Sequence, residues 1–256
     1  MSRYEMIEDV ALLDDVTLPE RTRTYTPVGY TELIAMAEDA LNLRDFDMTP
    51  NKIELAKDGQ QMFGTWVVTP QDADDGTEGY QRVLGIRSSY DKSLPCGFVM
   101  GVRIMVCSNL QFSGQYKTTR RHTGNILEDL PWDVHKLVSN GLSGYSADIE
   151  FLESSKEVML DRRLGGRPGV RVNDFIVRSM EKNVINSSQI GRVVSEFSSP
   201  SFEAFGDHAG SLYNLHNAFT HVIKRVNPMT LVPKTATLTQ MVKDEWAEEL
   251  ADVHTN

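Results

Sequence analysis

Apolar positions along the chain change period three times, and each change marks a change of element. Between Tyr30 and Leu41 they recur at helical spacing through Leu33, Met36, Ala37 and Ala40, which predicts an amphipathic helix capped by Thr31. The polar stretch from Asn42 to Met48 ends it. After Pro50 the period shortens to two. Lys52-Ile-Glu-Leu55 alternates, Asp58-Gly59 signals a turn, and Met62–Thr69 is rich in β formers, so a hairpin is expected. Two more strands follow, Tyr80–Arg87 and Gly97–Cys107, the second almost continuously apolar as in a strand covered on both faces. The polar Ser88–Pro95 between them predicts antiparallel neighbours, and Phe112, Tyr116 and Thr118 suggest a further edge strand.

From Thr123 onward the period is helical. Pro131 suits a first helical position, and Trp132, Val134, Leu137 and Val138 continue from it. A second helix is expected from Ala147 to Leu164, broken by Gly165-Gly166. Asn173 can cap Asp174–Val184, and Ser187 or Ser188 can cap Gln189–Phe197. Ser211–Val226 carries an apolar stripe from Leu212 to Val226, Pro228 and Pro233 close it, and an acidic helix runs over about Leu238–Asp252. Strands first and helices afterwards predict an α+β fold, with a mainly antiparallel sheet over about residues 52–118 packed by mostly C-terminal helices. The expected organisation is an extended or partly ordered arm at 1–28, one domain at 29–236, and an acidic helix or tail at 237–256. No period of 20–50 residues repeats, which disfavours solenoids and propellers.

The 256 residues carry a net charge of −10, unevenly spread. Residues 1–80 hold 6 basic against 17 acidic residues, a net of −11, whereas residues 156–195 hold 8 against 4, a net of +4. That balance permits a local anion-binding surface and argues against strong nonspecific DNA affinity. No apolar run approaches about 18 residues, so a membrane span is not expected. The opening MSRYEMIEDV lacks the apolar core of a secretory signal, and Cys96 and Cys107 stand outside any CxxC context. Free thiols in a cytoplasmic protein are the expectation.

Candidate chemistry lies mostly beside the strands. Arg87, Asp91 and Lys92 flank the polar turn. They read either as an anion site at the strand ends or as an ion pair fixing the turn, with Ser88 and Ser93 satisfying backbone groups. Lys117, Arg120, Arg121 and His122 form the densest basic patch, with Phe112 and Tyr116 interleaved, a pattern suited to phosphates and a stacked base. Arg162, Arg163, Arg167 and Arg171 surround Gly165-Gly166 and Gly169, where backbone amides can approach phosphate. Both patches read equally as solvated faces paired with the acidic N-terminal region. Asn109 suits a strand end. Cys107 has no histidine near it in sequence. His208, His216 and His221 lack ligand spacing, and Gln71–Gly79 lacks the closing glutamate of a calcium loop. GxSxG with a preceding strand, P-loop and GxGxxG patterns are absent, so no cofactor and no metal is implied.

The order of residues in Gly85–Ser93, Gly101–Asn109, Phe112-Ser-Gly, Arg120–Gly124 and Leu212–Thr220 resembles a family of uncharacterised phage/plasmid-like proteins, over roughly residues 60–226. Tyr213 departs from it, standing where the family has tryptophan. The resemblance implies a mobile-element protein of a bacterial cytoplasm, often encoded near recombination or anti-restriction functions, and carries over no catalytic residue. Together these readings predict a non-enzymatic accessory protein. It would bind single-stranded nucleic acid through Arg87, Lys117, Arg120, Arg121, His122, Arg162, Arg163 and Arg167, or a host or phage DNA-processing protein, with homo-oligomers allowed. One alternative is a metal-dependent nuclease or phosphotransfer enzyme centred on Asp91 and His122. Another is an anti-defence protein whose acidic surface, notably residues 71–78, mimics DNA.

Overall fold

A computed structural model of the chain describes residues 5–7, 9–72, 79–105, 109–111, 117–223 and 230–253, with backbone alone at 109–111 and 204. The fold is α+β. It divides into a sheet unit, Met1–Gly101 with Tyr116–Gly144, and a helical unit, Val102–Gln115 with Tyr145–Asn256. The predicted single domain at 29–236 therefore meets a division into two compact units.

The sheet unit opens with β1 (Glu5–Ile7), a 3-10 turn at Val10–Asp15 and α1 (Tyr30–Asn42). Next come β2 (Phe46–Ala56), β3 (Gln61–Pro70), β4 (Tyr80–Ser89) and the start of β5 (Cys96–Ile104). Strand neighbours follow chain order from β1 to β5, and the β1–β2, β2–β3 and β3–β4 pairs are antiparallel. The β2–β3 turn holds Lys57, Asp58 and Gly59 at positive φ, as the Asp-Gly signal predicts. Even-numbered residues Met62, Trp66, Leu84, Ile86, Phe98 and Met100 join one apolar cluster with Leu33, Ile34 and Ala37 of α1. That is the period of two at work, every second side chain entering the same core. Their odd-numbered neighbours Phe63, Val83 and Val99 are buried as well, which is why the strands read as nearly continuous apolar runs.

The N-terminal segment is more ordered than an arm. β1 pairs with β2, and Leu13, Tyr25, Thr26 and Val28 are buried. Thr31 does not cap α1. Its hydroxyl donates to Asp14 Oδ1 at 2.8 Å, while Gly29 is the N-cap and donates its N–H to Glu32 Oε2 at 3.3 Å. Where an edge strand was expected, β7 lies at Lys117–Arg120 and pairs with Cys96–Val99 of β5; Phe112 and Tyr116 fall outside the described residues.

One helix, α2 (Ile126–Glu157), replaces the two expected after Thr123. Pro131 sits inside it, one turn in, where only the Leu127 carbonyl loses a donor. Gly141, inside the helix, is a contact point. A Cβ there would meet Met100 Sδ at 2.6 Å, so the missing side chain lets the helix lie close on β5.

In the helical unit, Val102–Ile104 of β5 pair antiparallel with β6 (Asn109–Gln111). The remaining helices are α3 (Val170–Glu181), α4 (Ile190–Ser198), α5 (Glu203–Gly206), α6 (Leu212–Ile223), α7 (Leu231–Glu245) and α8 (Ala247–Val253). Asn173 lies within α3, its amide donating to the Pro168 and Gly169 carbonyls, and Gly169 is the N-cap. Asn186 precedes the turn into α4, and its N–H donates to Gln189 Oε1 at 2.8 Å. Ser211 caps α6, accepting the Asn214 N–H at 3.1 Å. The expected stripe on α6 is in fact a whole surface, because all 12 of its residues are buried among its neighbours. Its amide and hydroxyl members Asn214, Asn217 and Thr220 find carbonyl partners. Asn214 donates to the Phe197 carbonyl, Asn217 to that of Tyr213, and Thr220 to that of Asn217. Pro233 falls in the first turn of α7 instead of closing the preceding helix. Leu238, Val242 and Trp246 are buried, so α7 packs into its unit, and the acidic α8 continues from it with no buried residue.

Candidate nucleic-acid interface

The β4–β5 turn is built almost entirely from its own polar side chains. Ser89 Oγ accepts the Leu94 N–H at 2.8 Å and donates to the Leu94 carbonyl at 3.0 Å, closing the loop across its mouth. Asp91 Oδ1 accepts the Ser93 N–H at 3.0 Å and the Ser93 hydroxyl. Its other oxygen takes Lys57 Nζ at 2.7 Å and Gln61 Nε2 at 3.2 Å. Burial raises the Asp91 pKa, but these bonds, Lys57 first, outweigh it and hold the carboxyl well below the usual range. Asp91 is thus an ionised turn anchor whose ion pair is with Lys57. Arg87 lies four residues earlier in β4, opposite Phe63 of β3, half-buried and depressed in pKa by that burial.

Under this turn sits a buried polar cluster. His122 Nε2 lies 3.3 Å from Ser88 Oγ and 3.4 Å from Cys96 Sγ, and Ser88 Oγ lies 3.3 Å from the same sulfur. The Cys96 sulfur is also 3.8 Å from His122 Nδ1. Near-equal distances to both ring nitrogens put the sulfur over the ring face, away from either nitrogen's in-plane axis. A general base needs its lone pair aimed at the proton it removes. Burial pushes the thiol up to about 11 and pulls the His122 imidazole down, so both are neutral at pH 7. The geometry is that of a packed hydrogen-bonded core, not of an activated thiol.

Tyr25 completes the assembly from the N-terminal segment. Its hydroxyl donates to the Tyr90 carbonyl at 3.4 Å, and its ring centroid is 5.3 Å from that of His122. Thr26 N–H donates to the His122 carbonyl at 3.1 Å. Tyr90 in turn stacks on Tyr30 at 4.1 Å and accepts the Tyr30 N–H, and burial lifts its hydroxyl to about 12. Between these parts lies a cleft of about 530 Å³, lined by Thr24, Tyr25, Lys92, Ser93, Leu94, Pro95, Arg121, His122 and Thr123. Lys92, held at φ 63°, places its ammonium 4.5 Å from the centre of the Tyr25 ring. Lys92 and Arg121 are exposed, and neither forms an ion pair among the described residues. A volume of this size suits a nucleotide, with two cations and hydroxyls at the rim and aromatic rings beneath.

The other predicted basic residues divide sharply. Arg120 is occupied by Asp133 and by Asp129 at 3.0 Å, both on α2. Lys117 is exposed on β7. In the helical unit, Arg162 donates to the Gly166 carbonyl at 3.3 Å and the Ala209 carbonyl at 3.2 Å. Arg171 is tied to Glu245 at 2.9 Å and to Glu249, with Trp246 beneath it. Arg163 and Arg167 remain exposed. The two basic patches thus belong to different units. Cys107 lies outside the described residues, as does most of the 71–78 loop. Among the described residues no group of three or more His, Cys, Asp or Glu is placed to hold a metal ion, and no helix is long and apolar enough to cross a membrane.

Sequence reasoning missed Tyr25 and Cys96 as parts of this site, and it gave Ser88 backbone groups as partners where the structure gives it Cys96 and His122. Tyr25 is 65 residues from Tyr90, and nothing local marks that pairing. Comparison with protein-family models, curated proteins and solved structures gives no match.

Proposed function

We propose that the protein is a non-enzymatic accessory factor that holds single-stranded nucleic acid, with one nucleotide seated in the cleft beside the β4–β5 turn. One observation carries this reading: Lys92 and Arg121 line the same cleft without an acidic partner among the described residues, while Arg120 beside them is fully paired. A phosphate supplies the missing anion, and the Tyr25–His122 floor offers an aromatic surface to a base or sugar. The resemblance to phage/plasmid-like proteins supports the same context, replication or recombination of a mobile element in a bacterial cytoplasm. The metal-dependent nuclease alternative is less well supported, because the Asp91 carboxylate is consumed by Lys57, Gln61 and Ser93, and His122 is bonded to Ser88.

The test is fluorescence anisotropy with a labelled single strand of about 20 nucleotides, longer than a typical site of about 4–16. Wild-type protein is expected to bind at low salt, and Lys92→Ala/Arg121→Ala to bind about tenfold more weakly or worse. Equal affinity for the two proteins would remove the cleft from the account.

A further inference from the structure

The segment Asp161–Gly169 of the helical unit is a tight, fully wired hairpin. Arg162 bridges Pro168, Arg163 N–H donates to the Arg167 carbonyl at 2.8 Å, and Gly169 N–H donates to the Asp161 carbonyl at 2.9 Å. At its tip Gly165 and Gly166 adopt φ of 75° and 73°, a left-handed pair that other residues rarely form. Asp161, the acid at its base, accepts the Val170 N–H at 3.0 Å, and a Cβ at Gly169 would lie 1.6 Å from that carboxylate. Arg162 folds back onto the Gly166 and Ala209 carbonyls and so holds the tip from below. Even this stem is anchored, because Leu160 N–H donates to the Gly210 carbonyl at 2.9 Å.

What this scaffold presents is Leu164, 98% exposed, between Arg163 and Arg167. Neither arginine has an ion-pair or hydrogen-bond partner for its side chain among the described residues. Single exposed leucines are common on protein surfaces. Here the leucine sits at the extreme of a loop whose turn is set by two left-handed glycines and braced by an arginine, so its projection is built and not incidental. The geometry points to a wedge: Leu164 enters between adjacent bases of a single strand while Arg163 and Arg167 hold the flanking phosphates. Apolar side chains flanked by cations act on nucleic acid in this way, trading base–base stacking for side-chain contact. This rests on the nucleic-acid reading above but on a different unit of the chain and different residues.

The experiment uses the full chain and a single-stranded oligonucleotide carrying 2-aminopurine, whose fluorescence rises when a neighbouring base is unstacked. Wild-type protein at saturation is expected to raise the signal. Leu164→Ala should lose most of that rise while binding within about threefold of wild type, and Arg163→Ala/Arg167→Ala should weaken binding about tenfold. If Leu164→Ala gives the wild-type rise, the wedge is wrong, and sensitivity of binding to Lys92→Ala/Arg121→Ala then shows that the cleft reading survives it. If no oligonucleotide is retained at low salt, both fall. If instead wild-type protein floats with phosphatidylcholine/phosphatidylglycerol vesicles and Leu164→Ala does not, the tip is a membrane contact and the wedge is overturned.

Discussion

His216 is a buried imidazole with one charged neighbour, Lys243. It is 1% exposed, its Nε2 lies 3.2 Å from Thr239 Oγ1, and its Nδ1 has no partner among the described residues. Burial first, and then the Lys243 ammonium held near Asp148, depress its pKa to about 3. The unfolded chain carries an ordinary imidazole near 6.5, so on acidification it takes the proton first. Stability is therefore fully present above about pH 6.5 and is lost as pH falls toward 3, at up to about 1.4 kcal/mol per unit from this residue. His122, depressed in the same direction, adds to the slope. Urea unfolding between pH 7 and pH 5 should show this, and His216→Gln should reduce the slope by about one proton. An unchanged slope would mean that His216 is not held neutral.

Asp91 is the residue where a catalytic and a structural reading part most cleanly. With its oxygens taken by Lys57, Gln61 and Ser93, Asp91→Asn is expected to cost about 1–2 kcal/mol of stability. Affinity for single strands should change little once the fraction folded is corrected for. A large affinity loss in a fully folded Asp91→Asn protein would return the residue to the site.

Among elements, those read correctly are those whose pattern is local. β3, β4 and β5 announce themselves because buried alternation is written directly into Met62–Thr69 and Tyr80–Ile104. The sequence pattern suggests two helices, one starting near Pro131 and one at Ala147, where the structure has the single α2. Packing overrides that: Ile126, Leu130, Val134 and Leu137 bury one continuous face, and Gly141 is where Met100 enters. The turn sequence Arg87–Ser93 was legible as polar and special, but its wiring, Ser88 to His122 and Asp91 to Lys57, depends on residues brought from 34 positions away. Likewise a stripe was visible on α6, whereas its burial on every side depends on helices far along the chain. The Gly141 contact yields a prediction. Gly141→Ala gains about 1 kcal/mol of helix propensity yet places a methyl 2.6 Å from Met100 Sδ and 3.0 Å from its Cγ, so a net loss of about 1–2 kcal/mol is expected. The loss should shrink in a Met100→Ala background. Additive effects in that double-mutant cycle would contradict the close approach.

For the whole molecule, net charge of −10 sets the terms on which any polyanion is met. Long-range repulsion slows approach, so binding must come from a few local cations, and salt must screen repulsion and attraction together. The cleft beside the β4–β5 turn satisfies that requirement with Lys92 and Arg121. The basic run Lys117–His122 was legible as a working surface only in part. Of its members, Arg120 is spent on α2 and His122 is in the core, whereas Arg121 faces the cleft. Lys92 is visible in the sequence as a neighbour of Asp91, but its sharing one cleft with Arg121 is a property of the fold.

The most direct test of the central claim is the salt dependence of single-strand affinity, measured for wild-type protein and for Lys92→Ala/Arg121→Ala. Each phosphate contact contributes about −0.7 to the slope of log K against log salt concentration. Two cleft contacts therefore predict a slope shallower by about 1.4 in the variant. Parallel lines for the two proteins would show that these cations hold no phosphate.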